Sequence, residues 1–152
     1  MDETEAARRA AVAVRAAADA GDLAAGYVDA AVDTKETPTD FVTEADHAAQ
    51  DRVLAVLADA YPDEPVVGEE DGADPRLRES VPESGPAWIV DPIDGTTNYV
   101  RGMPTWCCAV ACVVDRHPVA AAVVEPELGR RYVGSAGSAR LDGEAVETSD
   151  LT

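Results

Sequence analysis

The sequence predicts an α+β fold with helices packed on a largely antiparallel sheet, and three observations carry that reading. Apolar residues at helical spacing come first in the chain. Six short runs rich in valine and alanine follow, and tight connections such as "DRHP" (115–118) and "LDGE" (141–144) separate some of them. Connections that short suit antiparallel neighbours and leave no room for crossover helices, so the early helices must cover the sheet. A chain of 152 residues is long enough for one domain and buries roughly two thirds of its unfolded surface.

From Thr4 to Ala20 a stripe of Ala7, Ala10, Ala11, Val14, Ala17 and Ala18 recurs near helical spacing, with Arg8, Arg9 and Arg15 off it. This predicts a first helix with a thin alanine face, ending at Gly21 or running toward Gly26. "YVDAAVD" and "TDFVT" flank "TKETP", whose proline and polar residues favour a turn, so a hairpin with Lys35 at its tip is expected. Ala49, Val53, Val56, Leu57 and Ala60 then trace a second helix face, ended by "YPDEP". The strand runs are "PVVGEE", "AWIVD", "TWCCAVACVV", "VAAAVV", "RRYVGS" and "EAVET". Strand alternation puts Cys108 and Cys112 on one face and Cys107 on the other, which suits small core residues better than a disulfide or a metal site.

Thirty acidic residues face twelve basic ones, for a net charge of -18, and Lys35 is the one lysine. Such a chain has no basic stripe with which to neutralise a phosphate backbone, so nucleic acid is not an expected partner. The acid excess reads instead as adaptation to a high-salt cytoplasm, where screening relieves self-repulsion. "MDETEAARRA" has no basic start followed by an apolar core, and no run approaches a membrane span, so a soluble, cytoplasmic chain with no membrane association is expected.

The stretch "WIVDPIDGTTNYVRG" places Asp91 and Asp94 at the end of an apolar run. Both can reach one hard divalent cation if Pro92 and Ile93 turn the backbone between them, and the Ile93 carbonyl can add an oxygen. Gly95 then permits close backbone approach, and the free amides of Gly95, Thr96 and Thr97 at a helix start attract a phosphate oxygen. A tight turn followed by a capped helix explains the same letters with no ligand at all. Upstream, "VVGEEDG" sets Glu69 and Glu70 at a strand end, and "DFVTEAD" sets Asp46 at a helix entrance. Solvated loop acids and a Thr43/Asp46 capping box account for these taken singly.

Together, "DFVTEAD", "VVGEED" and "WIVDPIDGTTNYVRGMP" stand in the order and approximate spacing of the inositol monophosphatase family, which the chain closely resembles. The resemblance implies the N-terminal half of an αβαβα sugar-phosphatase sandwich and a Mg2+-dependent phosphatase of sugar or inositol phosphate monoesters, such as inositol 1-phosphate or fructose 1,6-bisphosphate. It implies two or three Mg2+ ions, with Mn2+ as a substitute. By the same resemblance Glu69, Asp91 and the Ile93 carbonyl hold one ion, and Asp91 and Asp94 share a second. Asp46 and Thr96 orient the attacking water, with Asp46 touching a third ion through water. Gly95, Thr96 and Thr97 receive the phosphate, and Lys35 matches a lysine of a mobile loop.

The family's second half carries a "W-D-x-A-A-G" motif whose Asp completes the second metal site, and no "WD" occurs in this chain. The expectation is therefore a single metal- and phosphate-binding domain over 1–152 with the C-terminal half absent. It acts on a small phosphorylated metabolite and associates as a homodimer or with a C-terminal half. The competing expectation is a non-catalytic metal- and phosphate-binding or interaction fragment.

Overall fold

The computed structural model describes residues 1–31 and 38–150. Within them, helices α1 (Glu3–Ala31) and α2 (Pro38–Ala60) precede strands β1 (Val66–Gly68) and β2 (Pro86–Asp94) and the short helix α3 (Thr96–Val100). Strands β3 (Cys107–Val114), β4 (His117–Glu125), β5 (Arg130–Ser135), β6 (Ser138–Leu141) and β7 (Glu144–Ala145) follow. The strands lie in chain order in one sheet, with β1 parallel to β2 and every later neighbour antiparallel. The predicted α+β class with a largely antiparallel sheet is what forms, and α1 and α2 pack on it through β2, β3 and β4.

The first helix is longer than its periodicity suggests, and its buried stripe is rotated. It passes through both Gly21 and Gly26 to Ala31. Gly21 is needed for space, since a Cβ there would lie 2.7 Å from Cγ of Pro126. Ala6, Ala10, Ala13, Ala17, Ala20 and Ala24 are buried, whereas Ala7 and Ala11 are exposed. In a segment this rich in alanine several registers fit a helical period equally well, and packing against the sheet selects one. Arg9, expected off the stripe, lies inside it at 6% exposure.

The expected hairpin does not form in the described residues. Residues 27–31 continue α1 and residues 38–43 open α2, while its tip with Lys35 lies outside them. Phe41, Ala45 and Ala49 are buried at a spacing of four, a helical period that the short apolar alternation of "TDFVT" conceals. Thr43 and Asp46 consequently stand inside α2 and do not form the capping box at its start; Pro38 occupies the first helical position, where its missing N–H costs little. Five of the strand runs coincide with β1 to β5, "EAVET" yields the two-residue β7, and β6 ("SARL") is an addition to the expected strands.

Cys108 and Cys112 are buried and Cys107 is half-buried, all three as free thiols, in line with the alternation. The core joins α1 and α2 to the sheet around Leu57, Trp88, Val110 and Tyr99. Tyr99 anchors the segment after Asp94. Its ring meets Trp106 edge-on at 4.9 Å, and its buried hydroxyl donates to the Ala24 carbonyl at 2.8 Å. These contacts tie that segment to α1 and fix its position. No helix among the described residues is long and apolar enough to cross a membrane.

Candidate metal and phosphate site

The turn expected at Pro92 and Ile93 is a β-bulge within β2. Asp91 pairs with Ala109 and Asp94 with Cys107, so three steps on β2 oppose two on β3. A proline is tolerated at such a point because the ladder is already broken, and a bulge re-aims the side chains beside it. Pro92 and Ile93 are buried, and the stabilisation from burying Ile93, about 2 kcal/mol for a side chain of that size, holds the bulge in place. Asp91 and Asp94 are thereby presented at one end of the sheet.

Three further carboxylates reach this end. Asp46 comes from α2 and is buried, Glu69 and Glu70 follow β1, and Glu69 and Asp94 are exposed. Burial and the charges of Glu70 and Glu69 push the Asp46 carboxyl up to about 6. Asp91 is pushed up to about 7, first by burial, then by the adjoining Glu69 carboxyl, and further by Asp94 and Asp46. Its Oδ1 is buried without a hydrogen-bond partner among the described residues. Asp46, Glu69, Asp91 and Asp94 are therefore one electrostatic neighbourhood, in agreement with the sequence motifs.

These groups fit a hard divalent cation in their chemistry. All are oxygen donors, one oxygen is buried with no hydrogen-bond partner among the described residues, and the raised carboxyls of Asp46 and Asp91 record burial first and then neighbouring negative charge, both of which a bound cation offsets. They do not form a closed cage: among the described residues no three His, Cys, Asp or Glu side chains converge on one ion-sized point. Mg2+ does not require a cage, because it keeps several waters and is commonly held by one or two carboxylates and a substrate phosphate.

Gly95 caps α3 in the left-handed conformation at φ 87°, which a residue with a side chain adopts at a cost. A Cβ there would also lie 3.2 Å from the Thr105 carbonyl oxygen. Thr96 and Thr97 open α3 and are exposed, so their amides have no partner one turn back in the helix. The Thr96 hydroxyl donates to the Ile93 carbonyl at 3.3 Å. Beside Asp94 and Gly95 a cavity of about 280 Å³ is bounded by Trp106, Cys107 and Glu125. Burial and the charges of Asp94 and Asp91 push the Cys107 thiol up to about 11.

Sequence reading misses Gln50, which is 1% exposed. Its Oε1 accepts from the Glu70 amide at 3.0 Å, and its Nε2 donates to the Glu70 carbonyl at 2.6 Å. The signal that could have found it is its spacing of four from Asp46 on one helix. His47 also approaches Glu70, at 3.6 Å, and His117 is bound locally to the Asp115 carbonyl at 2.8 Å.

Helices layered on a mostly antiparallel sheet, with a carboxylate cluster at a bulged strand end, define the class of the molecule. The chain belongs to the inositol monophosphatase family, whose sequence model matches residues 5–151. It is 32% identical over 142 residues to Nus factor SuhB of Pseudomonas aeruginosa, covering 91% of this chain and 51% of that protein. It is 40% identical over 121 residues to histidinol-phosphatase of Mycobacterium tuberculosis, covering 78% of this chain and 44% of that one. The solved inositol monophosphatase of Anabaena superposes with a TM-score of 0.79 at 24% identity, over 98% of this chain and 51% of that one. The chain thus spans about half the length of the relatives it matches.

Proposed function

We propose that this chain supplies the metal- and phosphate-binding half of a Mg2+-dependent phosphatase acting on a small phosphate monoester. The observation that carries the reading is Asp91, a carboxylate pushed up to about 7 with a buried, unpartnered oxygen, set among Glu69, Asp94 and Asp46. Glu69, Asp91 and the Ile93 carbonyl would hold one ion, and Asp91 with Asp94 a second, with Mn2+ able to replace Mg2+. Bound there, the cation supplies charge opposite the phosphoryl oxygens and makes a water more acidic.

The chain's own residues do the rest. Asp46, brought from α2 into the neighbourhood of Asp91, would orient the attacking water. Thr96 helps orient that water, and the amides of Gly95, Thr96 and Thr97 receive the phosphate. Lys35, in the segment outside the described residues, is proposed as a loop contact to the substrate. Inositol 1-phosphate, fructose 1,6-bisphosphate and, from the M. tuberculosis relative's name, histidinol phosphate are the substrates to try.

A partner completes this site in our reading. On the sheet face away from the helices, Ile89 pairs with Ala111 and Ala111 with Ala121, and Ile89 and Tyr132 are each 37% exposed. An apolar face of this kind suits a covering element, either a second copy or a C-terminal half. The alternative reading is a non-catalytic metal- and phosphate-binding fragment, since among the described residues no three His, Cys, Asp or Glu side chains converge on one ion-sized point. Phosphate release from the three substrates, with and without Mg2+ in molar salt, decides between them. Mg2+-dependent release lost in Asp94→Asn supports the phosphatase; no release under any condition, including an added second half from a full-length relative, leaves the binding fragment.

A further inference from the structure

We infer that Gln50 is a positioning residue for the cation, acting through Glu69; this rests on the proposal that Glu69 and Asp91 hold the ion. The parallel ladder between β1 and β2 ends at Gly68, opposite Val90. Glu69 and Glu70 lie beyond that end, without strand partners to set their path. Gln50 supplies the missing partner, because its side-chain amide both accepts from and donates to the Glu70 backbone, at 3.0 and 2.6 Å. This is the hydrogen-bond pattern of a ladder pair, made by one side chain.

Two features show that the chain is built around this clamp. Gly68 leaves room for it: a Cβ at Gly68 would overlap the amide oxygen of Gln50 and lie 2.7 Å from its Cδ. No left-handed backbone angle accompanies Gly68, so the requirement there is space. Gln50 also stands one turn after Asp46 on α2, and residues four apart share a helix face. The clamp therefore fixes Glu69 relative to both Asp46 and Asp91. A glutamate at position 50 could still accept from the Glu70 amide, but when ionised it has no proton to donate to the carbonyl and adds a charge to the cluster.

The test is Mg2+ titration by calorimetry on the full chain in molar salt, read together with near-ultraviolet circular dichroism in EDTA. Gln50→Met should weaken Mg2+ binding about tenfold, in the range found when groups that orient ligands are removed. In a Glu69→Gln background the same change should have an effect of less than about twofold, since its route to the ion is gone. Equal losses in both backgrounds would overturn the inference, and so would unaltered affinity in Gln50→Met. Should Gln50→Met lose its near-ultraviolet signal, Gln50→Asn, neutral and one methylene too short to reach both Glu70 groups, is measured in both backgrounds, with the same contrast expected and the same result counting against it. If Glu69→Gln and Asp91→Asn leave Mg2+ binding unchanged, the metal assignment itself fails, a result distinct from a Gln50 effect that does not depend on Glu69.

Discussion

The two ends of β2 each gather carboxylates, and they neutralise them differently. Near its start, Glu64 receives both Nη atoms of Arg9 at 2.7 Å and the Trp88 indole N–H at 2.8 Å. The Arg9 Nε reaches Glu5 at 3.0 Å, and the guanidinium lies 4.3 Å from the Tyr61 ring centre. At the other end, Asp91 faces Glu69, Asp94 and Asp46, with one oxygen lacking a hydrogen-bond partner among the described residues. The first cluster contains its own cation. The second has the same ligand chemistry with no arginine among its partners in the described residues, and burial with mutual charge raises its carboxyls. Arg9 serves one cluster and the other has no such internal cation among the described residues, which is why we propose that function lies there.

The largest expected effect breaks the first cluster. Arg9→Met should destabilise the fold by about 3 kcal/mol, because removing one partner strands a buried carboxylate. Adding Glu64→Gln should recover most of that loss in a denaturant titration. A single-variant loss below about 0.5 kcal/mol, the level of an ordinary surface change, would mean that the two clusters are not distinguished by internal neutralisation.

The phosphate side of the second cluster is tested at Gly95. Gly95→Ala should cost about 1–2 kcal/mol, the penalty for a left-handed residue with a side chain, and should abolish stabilisation by added phosphate. The φ of 87° at this position is the source of that cost. Phosphate-dependent thermal stabilisation retained in Gly95→Ala would place the anion elsewhere.

A smaller effect, opposite in sign to the first, is expected on removing a charge from the second cluster. Asp46 and Asp91 have folded pKa values raised to about 6 and 7. The folded chain thus keeps protons that the unfolded chain has released, and stability falls as pH rises from roughly 4 to 7. In EDTA the melting temperature should drop across that window. Asp91→Asn should flatten the drop and raise the melting temperature at pH 7, and saturating Mg2+ should flatten it for the unaltered chain. An identical pH slope in Asp91→Asn would remove the strain assigned to this carboxylate.

Much of the second cluster is legible in the sequence because its elements are local. The bulge at Pro92 and Ile93, the αL glycine and the opening of α3 all follow one another within "DPIDGTT", so the string carries the geometry. Glu69 and Asp46 are legible only as members of a set of motifs in order. The first cluster is not legible, since Arg9, Glu64, Trp88 and Cys112 meet through tertiary packing, and an arginine in an alanine helix reads as solvated. Gln50 escapes for a related reason: its partner is the backbone of Glu70, and backbone partners leave no pattern in side-chain identity. Within the fold, α1 is under-read and its stripe misplaced because alanine gives weak contrast between buried and exposed faces.

The central claim is that the second cluster takes its cation from solution at Asp91, and calorimetric titration of Mg2+ in molar salt tests it most directly. The high salt suppresses the weak binding that thirty acidic residues otherwise contribute. The unaltered chain should show a saturable site, weakened at least about tenfold by Asp91→Asn. Glu70→Gln should change it by less than about threefold, because Glu70 is held through its backbone by Gln50, and its carboxylate points to His47. Equal losses in the two variants, or a site that survives Asp91→Asn, would contradict the account.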